Sequence, residues 1–189
     1  MLHLQKTDPR MPALWASLLA GAVCGAALIF FGREAPVFSP DALYIPPDWT
    51  GFLSGALSAF GRGLFWLTAA AFAGFSVLGA PALWALPFWR GLGDGYLAGA
   101  LLRTGWAGLP AAMRVLCPGL LTAMLLLESC SESMQQSVWL VRCVTRSKAA
   151  GGNRGLQGFL ARYTGLLLLL ALCACADAGA AVACGLLAA

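Results

Sequence analysis

Long apolar runs, separated by short polar connections, dominate the pattern of residues along the chain. A helix of about 20 apolar residues is long enough to cross the hydrocarbon core of a bilayer. The runs therefore predict an all-α, polytopic integral membrane protein with a single membrane domain over residues 1–189. Five spans are expected, and glycine and proline break the middle ones. The predicted spans cover residues 12–32, 63–85, 91–112, 115–134 and 163–187.

Prolines and glycines mark the predicted connections and bends. Residues 33–50 contain four prolines and two aspartates, which predicts an extended polar loop after the first span. Pro81 is expected to bend or end the second span, and the fourth span is expected to pass through Pro118. A basic segment, residues 142–162, precedes the last span.

The distribution of basic residues predicts how the chain is oriented. Lys and Arg are retained on the cytoplasmic side of membrane proteins. If the N-terminus is cytoplasmic, the five predicted spans place eight of the 12 Lys and Arg residues inside and the other four outside. We therefore expect a multi-pass protein of the cell membrane with a cytoplasmic N-terminus and an external C-terminus.

Composition supports the membrane prediction and excludes two other classes of protein. Of the 189 residues, 60% are hydrophobic and 11% are charged, whereas a soluble domain carries about 25% charged residues. Disorder is excluded because disordered chains have low hydrophobicity. The seven cysteines form no CxxC pair, so a zinc or redox site is not expected. They are interpreted as small packing residues in helices.

Residues 91–94 read Gly-Leu-Gly-Asp, the GxGD signature of one class of intramembrane aspartyl proteases. That chemistry requires a second aspartate that shares a proton with the first. Asp177 is the only other aspartate within a predicted span, but it follows the signature, whereas those proteases place the partner before it. His3 is the only histidine, which argues against Ser-His catalysis and His-ligated zinc. No catalytic residue, cofactor or metal site is therefore predicted.

The same segment is better explained by helix packing. Gly91, Gly95 and Gly99 recur every four residues and form a smooth ridge along one helix face. Such ridges allow two membrane helices to approach until their backbones are in contact. Arg90 and Asp94 are also four residues apart, which allows them to pair near the predicted cytoplasmic boundary.

An ionisable residue deep within a membrane span is energetically costly and therefore suggests a functional role. Asp177 lies about 21 Å along the fifth span and Arg103 about 18 Å along the third, both measured from the cytoplasmic side at the helical rise. An intramembrane Arg103–Asp177 ion pair is therefore hypothesised. The alternative is that Asp177 reaches the outer interface and stays hydrated. Glu128 and Glu132 are expected to form a hydrated interfacial pair.

Membrane lipids are the first expected partners. The basic segment 142–162 can bind anionic headgroups at about 1 kcal/mol per charge, and its simpler interpretation is a topology signal. Nucleic acid is not an expected partner, because no aromatic platform accompanies these charges.

Four stretches in the middle of the chain carry a family resemblance. They are FAGFSVLGAP at 72–81, PFWRGLGDGY at 87–96, GWAGLP at 105–110 and CPGLL at 117–121. They contain a G-x-P bend, a basic residue before glycines spaced by four, and a proline that opens the next span. In these features, and in its length and predicted number of spans, the chain resembles the stage II sporulation protein M family.

This resemblance implies a role in endospore formation. Members of the family are membrane anchors without a known catalytic centre, and they assemble with stage II sporulation proteins D and P. Those partners degrade septal peptidoglycan during engulfment. The resemblance thus implies a non-enzymatic scaffold, in which Gly91, Gly95 and Gly99 supply contacts while Pro81 and Arg90 shape the segment.

A small membrane transporter, or a transporter subunit, is the alternative function. In that case Arg103, Asp177 and the helices broken near Pro81 and Pro118 would line a path, since transporters place binding sites at broken helices. Against this alternative, the sequence contains no internal repeat, and five spans do not divide into two equal inverted halves.

Overall fold

The computed structural model describes residues 10–32, 49–76, 79–103, 109–145 and 152–188, and these residues contain five α-helices and no strand. The all-α prediction is therefore confirmed for the described part of the chain. The helices are α1 (Met11–Phe31), α2 (Trp49–Gly74), α3 (Gly79–Arg103), α4 (Leu109–Thr145) and α5 (Gly152–Ala188).

The first helix matches the predicted span 12–32 to within one residue at each end. Pro12 lies in its first turn, where a backbone N–H would have no acceptor within the helix. At the other end the Gly32 N–H donates to the Leu28 carbonyl oxygen at 2.8 Å, and Gly32 itself is extended.

The prediction of one continuous span over residues 63–85 was wrong, because the chain turns within that range. The Ser76 N–H donates to the Ala73 carbonyl oxygen, and the Gly79 N–H donates to the Ser76 carbonyl oxygen, both at 3.1 Å. A Cβ atom at Gly79 would overlap the Ala73 carbonyl oxygen, so the turn needs glycine there. Pro81 falls in the first turn of α3, which a proline fits without bending or ending the helix.

The predicted span 91–112 was also misplaced. Helix α3 begins at Gly79, passes through Pro87 without ending, and stops at Arg103. Helix α4 begins at Leu109, so the predicted span runs across the connection between two helices, and residues 104–108 lie outside the described residues. The spans 115–134 and 163–187 lie within α4 and α5, respectively, and both helices extend beyond them.

Three helices in the described residues are long and apolar enough to cross a membrane, fewer than the five predicted. They are α1, α2 and the segment 157–180 of α5. Helices α3 and α4 have lower hydropathy because of their polar residues. Those of α3 include Arg90, Asp94 and Arg103, while those of α4 include Glu128 and a series of serines and glutamines.

Helix α4 lies at the centre of the bundle and contacts the four other helices. The most extensive contact joins α1 to α3, and α5 packs against α2 and α4. The main core contains side chains from four helices. It comprises Leu14, Leu18, Ala70, Leu83, Ala123, Leu126, Leu127, Cys130 and Met134. Apolar side chains also cover the outside of the bundle, as at Phe31, Phe72 and Leu172.

Candidate functional site

The glycines of α3 lie directly against the backbone of α1. A Cβ atom at Gly91 would overlap the carbonyl oxygen of Leu18, and one at Gly95 would overlap that of Ala22. At Gly99 the closest approach would be 3.3 Å, so the contact loosens toward the end of α3. The structure thus brings the three predicted glycines together on one face of α3, and that face packs on α1.

Helix α1 contributes glycines to the same interface. A Cβ atom at Gly21 would overlap the Phe88 carbonyl oxygen, and one at Gly25 would overlap the Leu92 carbonyl oxygen. Neither glycine was among the residues predicted to form a packing face. Their signal was present in the sequence, because a G-x-x-x-G pattern in an apolar run is typical of a helix-packing face.

Arg90 extends from α3 toward α4. Its Nε lies 3.1 Å from the Asp94 Oδ2, which confirms the pairing predicted from the spacing of four. Its guanidinium also donates to the Thr122 hydroxyl of α4 at 3.3 Å, while that hydroxyl donates to the Gly119 carbonyl oxygen at 2.9 Å. Because α3 begins at Gly79 rather than at residue 91, the pair lies near the middle of α3 and not at one of its ends.

The other predicted charged residues lie on different helices. The Arg103 guanidinium donates to the Ile29 carbonyl oxygen of α1 at 3.3 Å. Asp177 belongs to α5, which packs against α2 and α4, whereas α3 packs mainly against α1 and α4. The Arg103–Asp177 pair stays a prediction.

An ion pair that was not predicted from the sequence joins α4 to α5. The Arg162 guanidinium contacts the Glu132 carboxylate, and the Glu132 side chain is only 14% exposed. Glu132 had been expected to be hydrated at the interface beside Glu128. The spacing of residues within α4 gives no signal for this pair, because its formation depends on which face of α5 packs against α4.

Several polar side chains are buried on α4. They are Ser129, Ser131, Ser133, Gln136 and Ser137. The Ser137 hydroxyl donates to the Ser76 carbonyl oxygen at 2.9 Å and so ties α4 to the turn between α2 and α3. Among the described residues, the hydroxyls of Ser129 and Ser133 have no hydrogen-bond partner. The central helix therefore has a polar face inside the bundle.

These side chains form packing contacts and charge pairs. Asp94 pairs with Arg90, and the second aspartate of the GxGD hypothesis, Asp177, lies on α5. In the part of the chain that the structure describes, no group of three His, Cys, Asp or Glu residues is arranged to hold a metal ion. Comparisons of the chain with protein-family models, curated proteins and solved structures find no match.

Proposed function

We propose that this chain is a non-enzymatic membrane scaffold that holds partner proteins at a fixed position in the cell membrane. The reciprocal glycine contact between α1 and α3 is the observation that carries the proposal. Backbones in direct contact leave no room for a solute between these two helices, and they form a stiff pair. A stiff frame suits a protein whose task is to position others.

The scaffold crosses the membrane five times, with its N-terminus in the cytoplasm. Charged residues within membrane spans pair with each other and face the interior of the bundle, and Arg90 and Asp94 do so on α3. Four serines and Gln136 of α4 are buried against neighbouring helices. Both helices expose apolar side chains on the outside of the bundle, namely Trp89 of α3 and Leu120, Leu121 and Met124 of α4. These features support crossings by α3 and α4 despite their lower hydropathy.

The resemblance to the stage II sporulation protein M family supplies the specific role. On that basis the scaffold recruits or anchors stage II sporulation proteins D and P, which degrade septal peptidoglycan during engulfment. Partner contacts require exposed side chains, and the described helices expose large apolar ones on α1, α2 and α5. These surfaces contact lipid wherever no partner covers them.

Site-specific photo-crosslinking in sporulating cells tests this function. A photoreactive residue is placed at the exposed positions Phe31, Leu57 and Phe72, which are 89%, 70% and 77% exposed. The matched control is Leu67, which is 2% exposed on the same helix as Leu57 and Phe72. We expect proteins D and P to be captured from at least one exposed position and from none at Leu67. Failure to recover any wall hydrolase would contradict the proposed role.

A small transporter is the second candidate, favoured by one observation. An ion pair lies near the middle of α3, and intramembrane charges mark substrate or proton pathways in many transporters. Asp94→Asn separates the two functions. A transporter that uses this pair loses solute uptake in liposomes, whereas the scaffold keeps its partners and supports sporulation.

A further inference from the structure

Two serine hydroxyls are sealed inside the bundle without a partner. Ser129 is 1% exposed and Ser133 is 0% exposed, and neither hydroxyl has a hydrogen-bond partner in the part of the chain that the structure describes. A buried hydroxyl without a hydrogen bond is strongly unfavourable. Native proteins satisfy the great majority of such groups, often with ordered water.

Hydrogen bonds back to the helix are formed elsewhere in this bundle. The Thr68 hydroxyl donates to the Leu64 carbonyl oxygen at 2.7 Å, and the Thr164 hydroxyl donates to the Leu160 carbonyl oxygen at 2.9 Å. This bond to the residue four positions earlier is a common solution for hydroxyls within helices. Ser129 and Ser133 do not use it, so their hydroxyls remain available to a bound molecule.

The spacing of the hydroxyls fits a water molecule. Residues four apart lie on one helix face, and the helical rise separates them by about 6 Å along the axis. A water molecule that forms two hydrogen bonds of about 2.8 Å each at its near-tetrahedral angle bridges oxygen atoms about 4.5 Å apart, so the two hydroxyls share one water when their side chains lean toward each other along the helix. Ser137 lies one turn beyond Ser133 on this face, and its hydroxyl can accept hydrogen bonds while it donates to the Ser76 carbonyl oxygen.

Apolar and close-packed groups surround this face. Leu126, Leu127, Cys130 and Met134 of the same helix belong to the buried core. The backbone of α2 approaches so closely at Gly74 that a Cβ atom there would lie 2.8 Å from the Ser133 Cβ. Bulk water is therefore kept away, and hydration of the two serines requires molecules bound within the bundle.

We propose that Ser129 and Ser133 form a binding site for internal water. One water molecule bridges the hydroxyls of Ser129 and Ser133, and a second bridges those of Ser133 and Ser137. Water suits this site because it donates and accepts hydrogen bonds, as the serine hydroxyls do, and carries no charge. The bound molecules connect the interior of α4 to the turn between α2 and α3, and they allow α4 to bury its serines within the bilayer.

Radiolytic hydroxyl-radical labelling in ¹⁸O-water tests the site in the full-length protein in lipid nanodiscs. Radicals formed from a bound water oxidise the nearest reactive side chains. Cys130 and Met134, which are 0% and 4% exposed, serve as reporters. The buried control is Leu170 of α5, which is 1% exposed. After correction for intrinsic reactivity, we expect labelling of Cys130 and Met134 several-fold above that of Leu170. Labelling no higher than that of Leu170 would overturn the proposal.

The sign of a stability change provides a second test. If the hydroxyls bind water, Ser129→Ala and Ser133→Ala each lower the Tm, because a hydrogen-bonded group is removed. If no water is bound to the hydroxyls, the same substitutions raise the Tm, because an unsatisfied polar group is removed. Ser137→Ala, which removes the bond to Ser76, is the control that lowers the Tm in either case. A rise in Tm for Ser129→Ala and Ser133→Ala would contradict bound water.

Discussion

Arg90 has two partners, one on its own helix and one on a neighbouring helix. Asp94 was predictable from sequence, because residues four apart share a helix face. The Thr122 hydroxyl was not predictable, since its contact with Arg90 depends on how α4 packs against α3. The same reason explains why the contact between Glu132 and Arg162 was missed. Sequence spacing therefore indicates partners within one helix and gives little information about partners on another.

Removing Arg90 is expected to destabilise the bundle. Arg90→Gln leaves the Asp94 carboxylate without its counter-ion in a site where its side chain is 31% exposed. We expect a loss of unfolding free energy on the order of 2 kcal/mol, since breaking a buried or partly buried pair leaves an uncompensated charge. Thermal denaturation in detergent measures the loss. Arg62→Gln, at an exposed position on α2, is the matched control, and equal losses for the two variants would contradict this role of Arg90.

The hypothesised Arg103–Asp177 pair is tested by a double-mutant cycle. If the two side chains interact, the loss of unfolding free energy in the double variant differs from the sum of the losses in Arg103→Gln and Asp177→Asn. The expected difference is at least about 0.5 kcal/mol. Additive losses would contradict the pair. In that case the hydrogen bond from Arg103 to the Ile29 carbonyl oxygen remains as the interaction of Arg103 within the bundle.

Helix boundaries were predictable only where an apolar run was bounded by polar residues. The first helix follows the basic N-terminal residues and matches its predicted span. The turn between α2 and α3 was missed because residues 75–78 read Phe-Ser-Val-Leu, a composition that does not differ from that of a span. The sequence predicts that Pro81 bends or ends the second span, yet a proline in the first turn of a helix is compatible with regular geometry. The overlap that requires glycine at position 79 involves the carbonyl oxygen of Ala73 and is visible only in three dimensions.

The packing of α1 on α3 can be tested by substituting the glycines of α3. Gly91→Ala and Gly95→Ala each place a methyl group on the backbone of α1. We expect a loss of about 1–3 kcal/mol for each, the usual effect of overpacking a close contact. Gly93→Ala is the matched control on the same helix, because nothing lies within 4 Å of its Cβ position.

The control should be neutral or stabilising, since alanine is favoured over glycine in helices by about 1 kcal/mol. Chemical or thermal unfolding of the three variants in the same detergent measures the differences. Equal changes in the free energy of unfolding for Gly93→Ala and Gly95→Ala would show that the interface between α1 and α3 does not stabilise the protein.

Viewed as a whole, the molecule places its most polar helix at the centre. Helix α4 contacts the four other helices, and the helices that are apolar enough to cross a membrane by themselves are α1, α2 and α5. The membrane character of the chain was predictable from composition, because the long apolar runs contain few charged residues. The central position of α4 was not predictable, since it depends on contacts between helices that are distant in sequence.

The side of the membrane on which α3 ends tests whether the chain crosses the membrane five times. A protease-cleavage tag inserted at Gly105, between α3 and α4, is exposed to protease added outside intact cells and, separately, to protease expressed in the cytoplasm. Five crossings with a cytoplasmic N-terminus predict cleavage from the outside only. Cleavage from the cytoplasm only, as expected if α1, α2 and α5 alone cross the membrane, would contradict five crossings.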